Sequence, residues 1–187
     1  MKRRTFDTLL SFTGFMLAAL LLAAGGLLTW GGNFASNTVH DQLVAQQITF
    51  GDEASFADEC LTPLKEWAGK SVDSGAAANA YAGVIRCHMR SAFKGMGLAE
   101  DETYASLGRV MGMDATTPEA KTLQAARDLA YQGESLRSIL LTAYAFGTIG
   151  AVAVFASYAA YGAGLLMLIL AILGLAHARR TPETVTL

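Results

Sequence analysis

The sequence predicts an all-α protein: two transmembrane helices with a helical extracytoplasmic domain inserted between them. Three observations predict it. Residues 8–39 and 138–176 carry no charged side chain and no proline; each run is longer than the ~20 residues that a bilayer core requires. The lysines and arginines gather at the two ends of the chain. Between the runs, apolar residues recur at helical spacing and show no alternation of any length. A chain of 187 residues, 52% hydrophobic and with a mean hydropathy of +0.34, leaves room for a small domain beside two spans.

Charge orients the arrangement. Net charge is −2, but residues 31–137 hold 9 Lys/Arg against 14 Asp/Glu, while the two ends hold 5 basic against 2 acidic residues. Basic ends around an acidic middle place both termini in the cytoplasm of a plasma-membrane protein under the positive-inside rule. No basic patch points to nucleic acid.

Residues 1–7 form a cytoplasmic N-terminus with Lys2, Arg3 and Arg4, and residues 8–30 the first span. A cleaved signal has an apolar core of about 7–15 residues, shorter than this one, so the span is read as retained. Arg3-Arg4-Thr5-Phe6 also has the look of a twin-arginine export signal; a cytoplasmic anchor of positive charge is the stronger reading, because the run that follows is long and very apolar. Trp30 stands where an interfacial aromatic is expected.

Residues 31–137 make the outer domain. The Gly/Asn/Ser stretch 31–37 is expected to end the first span and let the chain turn, with a membrane-proximal amphipathic helix from Thr38 through Val39, Leu43 and Ile48. Phe56, Cys60, Leu64 and Trp67 suggest a short helix disturbed by Pro63. Asp73 or Ser74 caps a helix over residues 76–93. Glu100-Asp101-Glu102 is expected in the first turn of another, favoured by its dipole. Thr117-Pro118-Glu119 is the clearest start signal. Gly133 is a place for that helix to kink or end.

The second apolar run exceeds one span, so residues 138–149 are read as a juxtamembrane extension, 150–176 as the second span and 177–187 as a cytoplasmic tail. A third span would place Arg179 and Arg180 outside, against the charge rule. Ala156, Ala160 and Gly164 form a small-xxx-small stripe on the second span, and Gly14 with Ala18 a shorter one on the first; such stripes let membrane helices approach closely.

Cys60 and Cys87, the only cysteines, both fall in the outer segment, where an oxidising compartment favours a disulfide. His40, His88 and His177 are the whole histidine supply, and the topology puts His177 on the other side of the membrane from the rest. No Walker loop, G-x-S-x-G or dinucleotide fingerprint occurs. No metal site, catalytic residue or cofactor is assigned.

At Val39-His40-Asp41-Gln42-Leu43 with Phe50, and at Gly133-Glu134-Ser135-Leu136-Arg137 followed by Ala143-Tyr144-Ala145-Phe146, the chain resembles a family of uncharacterised two-span membrane proteins of Gram-positive bacteria with high GC content. The similarity takes in Arg3-Arg4-Thr5-Phe6-Asp7 and Arg179-Arg180; the two cysteines lie outside it. The resemblance implies two spans. Members often carry the label of an aromatic ring-opening dioxygenase, a chemistry that needs iron held by neighbouring His and carboxylate ligands.

The expectation is a non-catalytic accessory or scaffold subunit of an envelope or respiratory membrane assembly. His40, Asp41 and Arg137 are its candidate docking residues, and its partners are membrane lipid, other proteins in the membrane and a second copy of itself. The alternative is a small-ligand or lipid sensor with an outer pocket lined by Tyr81, Ile85, Tyr104 and Leu107; a metal-dependent enzyme using His40 or His88 comes third.

Overall fold

Length and composition decide the main elements, and the computed structural model, which describes residues 3–180 and 182, contains three α-helices: α1 (Arg3–Ala45), α2 (Gly75–Gly95) and α3 (Pro118–Arg180). Short 3₁₀ turns occupy Glu53–Phe56, Thr62–Trp67 and Ser106–Val110. No strand occurs among the described residues; Thr49 and Ser71 form an isolated antiparallel bridge. Met1, Lys2 and most of the tail beyond Arg180 lie outside the described residues. α1 and α3 are each long and apolar enough to cross a membrane.

The chain divides into two compact units, Met1–Ala35 with Ile149–Leu187, and Ser36–Thr148. In the first, α1 and α3 run antiparallel. The positions they turn towards each other are small: Ser11, Ala18, Gly25 and Gly32 are buried at seven-residue intervals on α1, and Gly150, Ser157, Gly164, Ala171 and Ala178 at the same interval on α3. A repeat of seven is the signature of helices wrapped left-handedly about each other. At these small residues the helices come close: a Cβ built on Gly14 would lie 3.1 Å from that of Ala171, and one on Gly32 would lie 2.7 Å from the Gly150 carbonyl oxygen.

The second unit has two cores. One gathers around Phe50, whose ring stacks on Trp67 with centroids 5.7 Å apart and meets the edge of Tyr81 at 5.2 Å. Val39, Leu43, Phe56, Leu61, Val72 and Leu140 complete it. The other joins Met89 and Phe93 of α2 to Leu123, Ala126 and Ala130 of α3 and to Leu107. Cys60 and Cys87 stand at disulfide distance, with Cα atoms 5.8 Å apart.

Caps fall where the sequence puts them. Ser74 accepts from the Ala77 amide, and Thr117 accepts from the Ala120 amide ahead of Pro118. Four local expectations are corrected. Residues 31–37 do not break the helix, because Gly32 is used to approach α3. Gly133 does not end α3; it faces the Met89 side chain. Phe56 to Trp67 does not form one helix: Phe56 ends the 3₁₀ turn Glu53–Phe56, and a second turn, Thr62–Trp67, follows with Pro63 in its opening positions. Glu102 does not open a helix but pairs with Arg109 at 2.5 Å, holding the Ser106–Val110 turn.

Candidate functional site

α2 and α3 are antiparallel in the second unit, and at one crossing glycines bring their backbones together. A Cβ on Gly75 would lie 3.2 Å from the Tyr144 Cα, and one on Gly147 would lie 3.2 Å from the Gly75 Cα. Away from that crossing, positions 79, 83 and 86 of α2 recur at one face of the helix, as do 137, 141 and 144 of α3. Ala76, Ala80, Ala82 and Gly83 supply little bulk there. The result is a cleft of about 600 Å³, closed on a third side by Leu64, Glu66 and Trp67.

The polar groups facing this cleft are mostly donors. Arg137 is partly satisfied: its Nε donates to the Ala82 carbonyl at 3.1 Å, and its Nη1 reaches both carboxylate oxygens of Glu134 at 2.7–2.8 Å. Arg86, Asn79, Trp67 and Tyr144 also line it, the first two and Tyr144 exposed and Trp67 half-buried. None of these four makes a side-chain hydrogen bond to a described residue. Glu66 is the carboxylate on the wall, and it is exposed.

No family model, curated protein or solved structure matches the chain.

Two further clefts differ in kind. One of about 460 Å³ is rimmed by Asp58, Glu59, Arg90, Lys94 and Glu100 beside Cys60. There Lys94 and Arg90 both bind Glu100, at 3.1 and 3.0 Å, and their hydrogen bonds, Lys94 first, hold its carboxyl below the ordinary glutamate range. These charges satisfy one another. The other, about 550 Å³, lies in the first unit between α1 and α3 and is largely apolar, with Asp7, Ser11 and His177 at its polar end.

Of the residues singled out from sequence, His40 places Nδ1 2.8 Å from the Asp73 carbonyl, fastening α1 to the residue before the α2 cap. Asp41 beside it is exposed. Arg137 is turned inward, its side chain 17% exposed, and no hydrogen bond or ion pair among the described residues joins it to His40 or Asp41. Gly14 faces Ala171, Ala18 is 1% exposed, and Gly164 lies against Leu22 and the Ala18 carbonyl. Ala156 and Ala160 are half-buried. Tyr81, Ile85 and Leu107 are packed into the cores, while Tyr104 sits outside under Arg127, whose guanidinium lies 4.4 Å above its ring. No group of three or more His, Cys, Asp or Glu suited to a metal occurs among the described residues.

Sequence reasoning did not single out Arg86, Asn79, Trp67 or Tyr144 as a site. The signal available was the polar spacing 79–86 on α2, which acquires meaning only once α3 is known to lie alongside it.

Sequence reasoning also missed a polar contact between the two long helices. The Thr29 hydroxyl donates to the Gly25 carbonyl at 2.9 Å, so the Tyr161 hydroxyl, 3.2 Å away, is the donor to Thr29. The Tyr161 ring lies over Gly25.

Proposed function

We propose that the chain is a two-span protein of the plasma membrane, with both termini cytoplasmic and residues 36–148 outside. It acts as a non-catalytic accessory or scaffold subunit of a membrane assembly. The membrane reading is supported by the inverted burial of the first unit, where glycine, alanine and serine are inside while Leu10, Phe12, Leu20, Leu27, Phe155 and Leu173 are 60–77% exposed. Water would penalise such a surface at roughly 25 cal/mol per Å² of apolar area; lipid does not.

One observation carries the partner role. The second unit has cores of its own, yet leaves Ile139 and Phe146 on α3 56–68% exposed, in a charge-free run that lasts about 58 Å at 1.5 Å per residue where the hydrocarbon needs about 30 Å. Apolar surface beyond the lipid calls for a protein cover. The non-catalytic reading is supported by the histidines, since His40 is engaged by Asp73, His88 is exposed on α2 and His177 belongs to the other unit.

Gentle detergent extraction followed by mass analysis is the test. Stoichiometric partners, lost when Ile139 and Phe146 are changed to Ser, are expected; a clean monomer under several mild conditions refutes the role. A reporter fused after Leu187 that reads as external refutes the topology.

A further inference from the structure

We infer that the cleft between α2 and α3 binds the anionic group of an amphiphile, a phosphate ester or carboxylate, with Arg86 as its principal charge. Arg86 lines the cleft without an ion pair or hydrogen bond to any described residue. A guanidinium offers five donors in a planar fork that fits such oxyanions. Asn79, Trp67 and Tyr144, which carry further donors and have no side-chain acceptor among the described residues, line the same cleft, where exposed Glu66 is the one carboxylate on the wall. Arg137 is already fixed by Glu134 and the Ala82 carbonyl, which leaves Arg86 as the cation of the cleft without a partner among the described residues. Leu141 and the alanines of α2 give the remaining wall an apolar character, which suits the hydrocarbon adjoining an acidic head.

The Proposed function does not require this site. Only the source of the anion depends on the membrane reading: an outer-leaflet lipid if the unit stands at the bilayer, a soluble phosphate ester if it does not. Both offer the same oxyanion to Arg86.

The test uses the full chain in neutral detergent with Trp30→Phe, which leaves Trp67 as the sole tryptophan reporter. It is titrated with inorganic phosphate and, separately, with micelles doped with phosphatidylglycerol or phosphatidylcholine. Bound lipid is counted in parallel by native mass spectrometry. Saturable binding of phosphatidylglycerol over phosphatidylcholine is expected, weakened about tenfold or more by Arg86→Gln, as loss of a charge-assisted contact implies. Arg90→Gln, on the same helix but outside the cleft, should change it less than twofold. Binding of inorganic phosphate with the same Arg86 dependence and no lipid preference keeps the anion site and assigns it a soluble ligand. No saturable binding of either probe, equal response to phosphatidylcholine, or equal loss in the two arginine variants overturns the inference. Recovery of protein partners is read independently, so either proposal can fail without the other.

Discussion

Gly31 and Gly32 are neighbours in sequence but have opposite surroundings, and replacing each by alanine separates helix propensity from helix contact. A Cβ on Gly31 would meet nothing within 4 Å. One on Gly32 would lie 2.7 Å from both the Gly150 carbonyl oxygen and Val154 Cγ2, and 3.1 Å from the Val154 amide nitrogen. Both substitutions remove a helical glycine and so share a gain of about 0.5–1 kcal/mol. The Gly32 variant alone must push α1 and α3 apart, an overpacking cost of about 1–3 kcal/mol. Because the shared gain cancels, Gly32→Ala should be less stable than Gly31→Ala by that packing cost, about 5- to 140-fold in the folded population. SDS titration of the full chain in mild detergent, followed by far-UV circular dichroism, measures the difference. If residues 31–37 were instead a turn between helices, neither alanine would meet α3 and the two variants would shift alike. Equal shifts, or a more stable Gly32 variant, refute the helix pairing.

Removing the Cys60–Cys87 link with paired alanines frees a loop closed across a sequence separation of 27; the chain-entropy model gives about 3.6 kcal/mol, which for a unit of this size lowers the melting temperature by about 10–15 °C in a thermal scan. Gln47, in the turn two residues past the end of α1, has φ 54°, a left-handed conformation that glycine takes without strain, so Gln47→Gly should raise stability by about 0.5–1 kcal/mol in the same scan; a loss would mean that its side chain matters more than its backbone. The Glu102 carboxyl is held below its ordinary value of 4.5 by hydrogen bonds from Arg109 first and then Ser106. Its stabilising contribution should be complete above the unfolded-state value and lost as pH falls through the lower folded one. Glu102→Gln should therefore lower stability at pH 7 and flatten the acid limb of a denaturation series run downward from pH 5; an unchanged acid limb counts against the pairing.

Much of this architecture was legible in the residues. The two apolar runs announce themselves by length, Thr117-Pro118 and Ser74 start helices because their hydroxyls suit orphan amides, and the cysteine pair is the only one available. Glycine was the source of two of the four local corrections. At Gly32 and Gly133 the local rule, that glycine loosens a helix, competes with a tertiary one, that glycine admits a neighbour, and only the neighbour decides. The Met89 side chain over Gly133 and the Gly150 backbone beside Gly32 cannot be read from the chain one segment at a time. The cleft was hidden for the same reason: Arg86 and Tyr144 lie far apart in sequence, and their common cleft exists only because Gly75 and Gly147 let α2 and α3 meet.

The small-residue heptad also constrains how the two long helices are held. If their solvent is lipid, burying alanine and glycine between them gains nothing from the hydrophobic effect, since leucine and phenylalanine are equally at home outside. Association then rests on contact density and on the few polar links available. Small side chains serve the first, because they lose no rotamer freedom when buried and allow backbone atoms to supply the dispersion contacts. The Tyr161–Thr29 hydrogen bond serves the second, and a bond of this kind between membrane helices contributes about 0.6 kcal/mol on average. Packing must therefore supply most of the attraction. It does so while using only the narrow, small-residue face of each helix, leaving the broad apolar faces of α1 and α3 free for lipid or another protein. The same pattern that brings the two helices together is thus what keeps their outer surfaces available.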